Sequence, residues 1–246
     1  MRRYLFEISF NGAEYHGWQI QDNAITVQQV IQESLSTLID DLVNIVGCGR
    51  TDTGVHAKQF FFHVDLPEIK DVIKFIYQLN QILPQDISVL NCKSVNPDFH
   101  ARFSAVSRTY KYYIIQHKDP FFQSTSKYIS YDLDVGIMNF CCQKLLKYKD
   151  FTSFSKVHTD VNNFNCDILS ASWNKENNHL IFTIKANRFL RNMVRAIVGT
   201  MLLAGKNKID VNRFCEIIEE KNRSSAGSSV LAKGLFLTNV EYPGYE

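Results

Sequence analysis

The chain has 246 residues, of which 45% are hydrophobic and 21% charged, and its formal net charge is +2. These values are ordinary for a folded globular protein and exclude a disordered or strongly basic chain. No apolar stretch reaches the about 20 residues that cross a bilayer, and the first residues lack the apolar core of a signal peptide. Six cysteines without a C-x-x-C pair, and histidines without metal-ligand spacing, predict a cytoplasmic protein with reduced thiols and no zinc site.

The first hundred residues predict alternating strands and helices. Apolar alternation over residues 4–10 predicts a strand, and Thr26 to Gln29 matches a capping box that starts a helix. The remaining predicted elements are strands at 42–46, 59–64 and 87–95, and an amphipathic helix at 69–83 that ends at Pro84. The resulting order, β-α-β-β-α-β, is typical of a ferredoxin-like arrangement.

The rest of the chain repeats this pattern loosely. It predicts strands at 108–116, 168–173, 180–186 and 235–242, helices around 138–146, 189–203 and 211–220, and a long polar loop at 152–166. We therefore expect an α+β fold of two ferredoxin-like or RRM-like halves, residues 1–100 and 101–246. Their mainly antiparallel sheets are expected to join around a central basic cleft.

One glycine-rich segment, residues 47–57, reads GCGRTDTGVHA and places Asp52 between two apolar runs. Glycines allow a bulky ligand to approach the backbone closely. Arg50, two residues upstream, could keep Asp52 ionised or contact a phosphate. A single positioned carboxylate in such a turn is typical of an active-site loop. The alternative is a structural hairpin turn with a capping Asp and a surface Arg.

Two further candidate site residues belong to the second predicted half, with Arg102 at its junction with the first. Tyr110 is on a Tyr-rich strand, where its ring could stack on a nucleobase and its hydroxyl could exchange a proton. The alternative for Tyr110 is ordinary cross-strand packing. Arg102, within the segment FHARFS at 99–104, either reaches into a cleft or is a solvated linker charge.

The predicted helix at 189–203 carries Arg191, Arg195 and Gly199 in one column, at positions i, i+4 and i+8. Two like charges in one column indicate an anionic partner, either Asp52 or a phosphate. Glycine inside a helix costs about 1 kcal/mol relative to Ala, so Gly199 needs a reason, such as space beside the column. A solvated helix face is the alternative.

A third unusual segment, YHGWQ at 15–19, follows the first strand. It either holds a nucleotide through Trp18 and Gln19, or it is a packed Trp with a Gln that binds the backbone. Basic residues gather around all of these segments, which fits a nearly neutral protein with one basic cleft. They are Arg50, Lys58, Arg102, Arg108, Lys111, Arg188, Arg191 and Arg195.

Together these segments resemble the TruA family of tRNA pseudouridine synthases. The family signature around the aspartate reads GRTDTGVHA here, at 49–57. The sequence departs slightly, with Thr53 where Ala is common, Arg191-Asn192 where some members have paired His, and an unusual stretch at 224–233. The resemblance covers essentially the whole chain, through 15–19, 26–28, 49–57, 99–104, 108–110, 150–154, 189–199 and 234–237.

The resemblance implies isomerisation of uridine to pseudouridine at positions 38, 39 and 40 of the tRNA anticodon arm. It also implies a homodimer, and neither a metal nor an organic cofactor. Asp52 maps to the essential aspartate and Arg195 to its partner. Tyr110 maps to the residue that stacks on the uracil and is a candidate acceptor for the C5 proton. The other implied substrate contacts are Gln19, Arg50, Lys58, Arg102, Arg108 and Arg191.

The sequence leaves the mechanism and two rival functions open. Asp52 either attacks C1′ or removes the C2′ proton to give a glycal. A non-catalytic RNA-binding module would bind by stacking alone and would need no carboxylate. A nucleoside hydrolase that uses a carboxylate would release free uracil, which an isomerase retains.

Overall fold

The computed structural model of the protein describes residues 1–156 and 163–244. The chain forms two compact units, one made of Met1–Val106 with the segment that begins at Phe236, the other of Ser107–Leu235. The described residues contain nine strands, mainly antiparallel, and five α-helices, which confirms a mixed fold. None of these helices is long and apolar enough to span a membrane. The ferredoxin-like halves, their division at residue 100 and the basic cleft stay predictions.

Up to residue 106, the first unit has the order of strands and helices predicted from the sequence, and the last strand of the chain is added to it. Strand β1 lies between β3 and β4 and is antiparallel to both, while β2 adds a short antiparallel pair to β3. The last strand of the chain, β9, pairs in parallel with the start of β3. The elements are β1 (Arg2–Phe10), α1 (Val27–Ile39), β2 (Val46–Gly47), β3 (His56–Leu66), α2 (Val72–Ile82), β4 (Ile87–Ser94) and β9 (Leu235–Glu241).

Aromatic side chains form the core of this first unit. Phe6 of β1 and Phe62 of β3 face each other across the ladder, and their rings stack with centroids 5.0 Å apart. Trp18 lies against Phe60, with ring centroids 4.2 Å apart, and both are buried. Helix α1 begins after Thr26, whose hydroxyl accepts from the amide of Gln29, so the predicted cap is confirmed.

In the second unit, β8 lies between β5 and β7 and is antiparallel to both, while β6 runs parallel to β5. Helices α3, α4 and α5 contribute the buried apolar side chains that cover this unit's core. The elements are β5 (Ser107–Ile115), β6 (Lys127–Tyr128), α3 (Val135–Leu145), β7 (Ile168–Glu176), β8 (His179–Ala186), α4 (Met193–Gly205) and α5 (Val211–Glu219).

Several predicted boundaries were wrong. The helix predicted from residue 189 begins at Met193, because Asn192 adopts the left-handed conformation with φ of 66°. The strand predicted at 42–46 is reduced to β2, and Leu42 is exposed. Helix α2 begins after its cap Asp71 rather than at residue 69. Within the predicted loop at 152–166, residues 157–162 lie outside the described part of the chain.

Candidate active site

Asp52 lies in the tight connection between β2 and β3. The amide of Cys48 donates to the carbonyl of Phe61 at 2.7 Å, which fixes the start of this connection. The amide of Val55 donates to the carbonyl of Asp52 at 3.1 Å, which closes a turn around the aspartate. Asp52 itself is half-buried, whereas Arg50 is exposed. The backbone therefore holds Asp52 at a fixed place on the surface of the first unit.

A second loop, residues 12–18, supports this turn. The amide of Gly54 donates to the carbonyl of Tyr15 at 3.2 Å, and the amide of Trp18 donates to the carbonyl of Thr51 at 3.3 Å. Gly17, between these two bonds, has a φ of +87° and approaches the backbone of Thr51 so closely that a Cβ there would overlap its carbonyl oxygen. The two loops are thus joined on both sides of Asp52.

In the 15–19 segment the structure gives the position of Trp18, while the role of Gln19 stays a prediction. The Trp18 indole is buried, so it is a packing residue and not an exposed stacking surface. Two glutamines close to this segment in the chain bind backbone. Gln21 donates to the carbonyl of His16 at 2.8 Å. Gln28 accepts from the amide of Ile20 at 3.2 Å and donates to the carbonyl of Ile45 at 3.1 Å. Gln19, a predicted substrate contact, is exposed.

An open groove of about 460 Å³ lies beside the start of β3. His56 lines it and is buried, with Nδ1 accepting from the amide of Gly12 at 3.1 Å and its ring stacked on Phe236. Lys58 also lines the groove, and its ammonium lies 5.7 Å from the centre of the Phe236 ring. One predicted basic contact, Lys58, therefore lines this groove and lies on β3, the strand that follows Asp52.

Sequence reasoning missed the environment of Thr51. Its hydroxyl is buried, and among the described residues it has no hydrogen-bond partner. A buried hydroxyl without a partner costs about 1–3 kcal/mol, and such groups are rare in folded proteins. No sequence signal reports this, because a Thr before the aspartate is equally compatible with a satisfied hydroxyl.

Tyr110 lies in the middle of β5, opposite Ile184 of β8, and is half-buried. Its ring meets the edge of Phe189 at a centroid distance of 5.1 Å and an interplanar angle of 88°. Two residues earlier on the same strand, Arg108 donates from its guanidinium to the carbonyl of Asn187 at 2.9 Å. The structure thus brings Tyr110 and Arg108 together on one strand of the second unit.

Arg195 lies in the first turn of α4 and is half-buried. Its Nε donates to the carbonyl of Val230 at 2.8 Å, and its own carbonyl accepts from the amide of Val230 at 3.2 Å. These two bonds fix both the backbone of Arg195 and the Nε of its guanidinium. Arg195 is therefore an ordered cation at the start of a helix.

The predicted column of Arg191, Arg195 and Gly199 on one helix was wrong. Arg191 precedes the left-handed Asn192 and lies outside α4, so the two arginines do not share a helical face. A Cβ at Gly199 would overlap the carbonyl oxygen of Ser228. The glycine therefore allows close backbone packing, and it does not make room beside an arginine column.

The last predicted contact, Arg102, is exposed on the loop that precedes β5, with its guanidinium carbon 5.4 Å from the centre of the Phe103 ring. No cluster of three or more His, Cys, Asp or Glu side chains suited to a metal ion occurs in residues 1–156 and 163–244. The functional roles of the predicted site residues stay predictions at this point.

Comparisons with known proteins define the family. A family model described as tRNA pseudouridine synthase matches residues 142–243. The chain is 49% identical over 244 residues to tRNA pseudouridine synthase A of Parabacteroides distasonis, covering 99% of this chain and 97% of that protein. It is 48% identical over 245 residues to the protein of the same name from Bacteroides fragilis, with coverage of 99% and 97%. It is 35% identical over 248 residues to the one from Thermoanaerobacter pseudethanolicus, with coverage of 98% and 100%.

These matches define the chain as an enzyme of the isomerase class. Within that class, the chain belongs to the tRNA pseudouridine synthase A family.

Proposed function

We propose that this enzyme converts uridine to pseudouridine at positions 38, 39 and 40 of the tRNA anticodon arm. Asp52 is the essential carboxylate, and the reaction uses neither a metal nor an organic cofactor. The observation that carries the proposal is similarity along nearly the full chain to proteins named tRNA pseudouridine synthase A. The closed turn around Asp52, braced by the 12–18 loop, supports the choice of residue.

The chemistry explains why one carboxylate is sufficient at the sugar. The bond from N1 of uracil to C1′ breaks, the base turns, and a bond from C5 to C1′ forms. The C5 proton is lost and N1 gains a proton, so the reaction is an internal, redox-neutral exchange. Asp52 either attacks C1′ or removes the C2′ proton. Both routes need a carboxylate whose position relative to the ribose is fixed. The backbone bonds of the turn supply that constraint.

The roles of Tyr110 and Arg195 belong to the same proposal. Tyr110 holds the freed uracil by stacking, and its hydroxyl accepts the C5 proton directly or through water. The edge contact with Phe189 limits rotation of the Tyr110 ring, which suits a stacking role. Arg195 pairs with Asp52 in the working site, a role suited to a guanidinium whose Nε is held by the carbonyl of Val230.

The base must leave its stack before the reaction, at a cost of a few kcal/mol. Contacts from basic side chains to phosphates offset this cost, and they make binding dependent on salt. We assign these phosphate contacts to exposed and half-buried basic residues of both units, namely Arg50, Lys58, Arg102, Arg108 and Arg191. Gln19, which is exposed, is a further substrate contact. The enzyme acts as a homodimer in the cytoplasm.

The test uses tRNA transcripts that carry 5-tritiated uridine at only one of positions 38, 39 and 40. We expect release of tritium from each transcript, in the presence of a metal chelator and without free uracil. Free uracil would indicate a hydrolase, and binding without any release would indicate an RNA-binding module. Release from a uridine elsewhere in the tRNA, with none from these three, would contradict the proposed positions.

A further inference from the structure

The segment of residues 99–104, here named the 99–104 turn, is held by bonds to its backbone from several sides. The carbonyl of Phe99 accepts from the guanidinium of Arg3 at 3.0 Å, and the carbonyl of Ala101 accepts from the hydroxyl of Tyr242 at 2.7 Å. The amide of Ser104 donates to the carbonyl of residue 100 at 2.8 Å, which closes the turn. The carbonyl groups of this loop are therefore fixed within the first unit.

Two imidazoles hold the amides of the same turn. Nδ1 of His63 accepts from the amide of Ala101 at 3.1 Å. Nδ1 of His100 accepts from the amides of Arg102 and Phe103, at 3.1 and 3.3 Å. A ring nitrogen accepts only when it carries no proton. Burial, the largest cause, lowers the pKa of His63 to about 4 and also lowers the pKa of His100 from its ordinary value, which favours the neutral form of both rings.

The charged groups around these two rings come from neighbouring strands and from the turn itself. Arg3 of β1 favours the neutral form of both imidazoles and Arg102 that of His100, whereas Asp65 of β3 opposes the neutral form of His63. Arg3 binds Asp65 through two bonds, of 2.8 and 2.7 Å, which reduces the field of that carboxylate. The arrangement therefore preserves Nδ1 as an acceptor on both histidines.

This braced turn presents an aromatic ring to solvent. Phe103 is 74% exposed, which is unusual for a large apolar side chain on a well-bonded loop. Its ring centroid lies 4.3 Å from that of His100, and the guanidinium carbon of Arg102 lies 5.4 Å from the ring centre. An aromatic ring held beside a guanidinium is the combination with which proteins bind unpaired nucleobases.

We propose that the 99–104 turn is an RNA-binding element in which Phe103 stacks on an unpaired nucleobase of the tRNA substrate. In this element His100 is the positioning residue, because its ring holds the backbone amide of Phe103. The proposal rests on the proposed function, since it takes tRNA as the ligand. Because the turn is braced before the RNA arrives, the ring loses little conformational entropy on binding. Stacking then adds affinity without selecting one base, since every base has a π-face.

The first experiment measures binding of an unmodified tRNA transcript to the full-length chain and to Phe103 variants. Phe103→Leu keeps an apolar side chain but removes the π-face, whereas Phe103→Tyr keeps the ring. We expect Phe103→Leu to weaken binding by about 5- to 150-fold, and Phe103→Tyr to retain most of the affinity. Equal binding by Phe103→Leu and the unchanged chain would overturn the proposal, as would equal losses in the two variants.

The second experiment tests the positioning role with a matched pair at His100. In His100→Asn, Oδ1 stands one bond beyond Cγ, where Nδ1 stands in His, and accepts the same amides. His100→Leu provides no acceptor. We expect His100→Leu to weaken tRNA binding as Phe103→Leu does, and His100→Asn to restore most of it. Equal binding by the two His100 variants would contradict the positioning role.

Two further readouts distinguish loss of the stacking contact from unfolding and from loss of a contact between subunits. Thermal unfolding of each variant confirms that the compared proteins are folded. Sedimentation measures oligomeric state, and dissociation of an oligomer by Phe103→Leu would overturn the proposal by assigning the ring to a protein contact. Because these experiments measure binding, they remain informative if the enzyme forms no pseudouridine. In that case the proposed function fails while the stacking contact is still tested.

Discussion

The substitution Gly17→Ala tests whether the 12–18 loop positions Asp52. Alanine at a φ of +87° costs about 1–2 kcal/mol of conformational strain. Its Cβ would also overlap the carbonyl oxygen of Thr51 and lie 3.1 Å from the carbonyl carbon of Asp52. Those atoms belong to the backbone, so the overlap is relieved only if the 12–18 loop and the aspartate loop move apart by roughly 0.5–1 Å. A displacement of about 1 Å at a reacting group can lower the rate about 100-fold.

The matched control is Gly49→Ala, in the same aspartate loop. Apart from the two neighbouring residues in the chain, a Cβ at Gly49 meets no heavy atom of the described residues within 4 Å, and the φ of Gly49 lies outside the left-handed range. We expect Gly17→Ala to lower single-turnover tritium release from tRNA about 100-fold at saturating enzyme, and Gly49→Ala to lower it little. Thermal unfolding of both variants confirms folding at the assay temperature. Equal activity in the two variants would refute the idea that the 12–18 loop positions the carboxylate.

Three further predictions concern stability and are measured by urea unfolding. Thr51→Val removes a hydroxyl without a partner among the described residues, so we expect no loss in the free energy of unfolding. Thr200→Val removes a hydroxyl bonded to two backbone groups and should lower the free energy of unfolding by about 1–3 kcal/mol. Equal losses in the two variants would contradict this prediction. Gly199→Ala should destabilise by about 1–3 kcal/mol through overlap with Ser228, and a gain of about 1 kcal/mol, as helix propensity alone predicts, would count against that packing. Because the folded chain lowers the pKa of His63 from 6.5 to about 4, the unfolded chain binds the proton first as pH falls, and we expect a loss of about 2 kcal/mol between pH 7 and 4.5. His63→Asn should lose less stability over this pH interval than the unchanged chain. An equal loss would show that groups other than His63 cause the pH dependence.

Local sequence pattern predicted the elements of the first unit well, for physical reasons. Alternation over residues 4–10 places one face of β1 in the core, and the Thr26 cap satisfies an amide that the first turn of α1 leaves unpaired. The predicted start of α4 was wrong because a single left-handed residue, Asn192, interrupts an otherwise helical sequence pattern. Such a conformation depends on contacts made elsewhere, here including the bond from its side chain to Ser229.

The candidate site, too, could be predicted from the sequence only in part. Composition and spacing singled out the loop around Asp52, because glycines beside one carboxylate are visible in the sequence. The support that Gly17 gives to this loop could not be predicted, since it depends on the approach of two backbones about 35 residues apart in the chain. The parallel pairing of β9 with β3 is likewise a long-range contact, and no periodicity in residues 235–242 reports it.

The central claim is that Asp52 carries the chemistry of an isomerase acting on tRNA. The most direct measurement is tritium release from tRNA labelled with 5-tritiated uridine, comparing the unchanged enzyme with Asp52→Ala and with Thr53→Ala, an exposed neighbour in the same turn. We predict that Asp52→Ala still binds tRNA but releases tritium at least about 1000-fold more slowly, while Thr53→Ala stays active and no free uracil forms. Release by Asp52→Ala at a rate near that of Thr53→Ala would contradict the account.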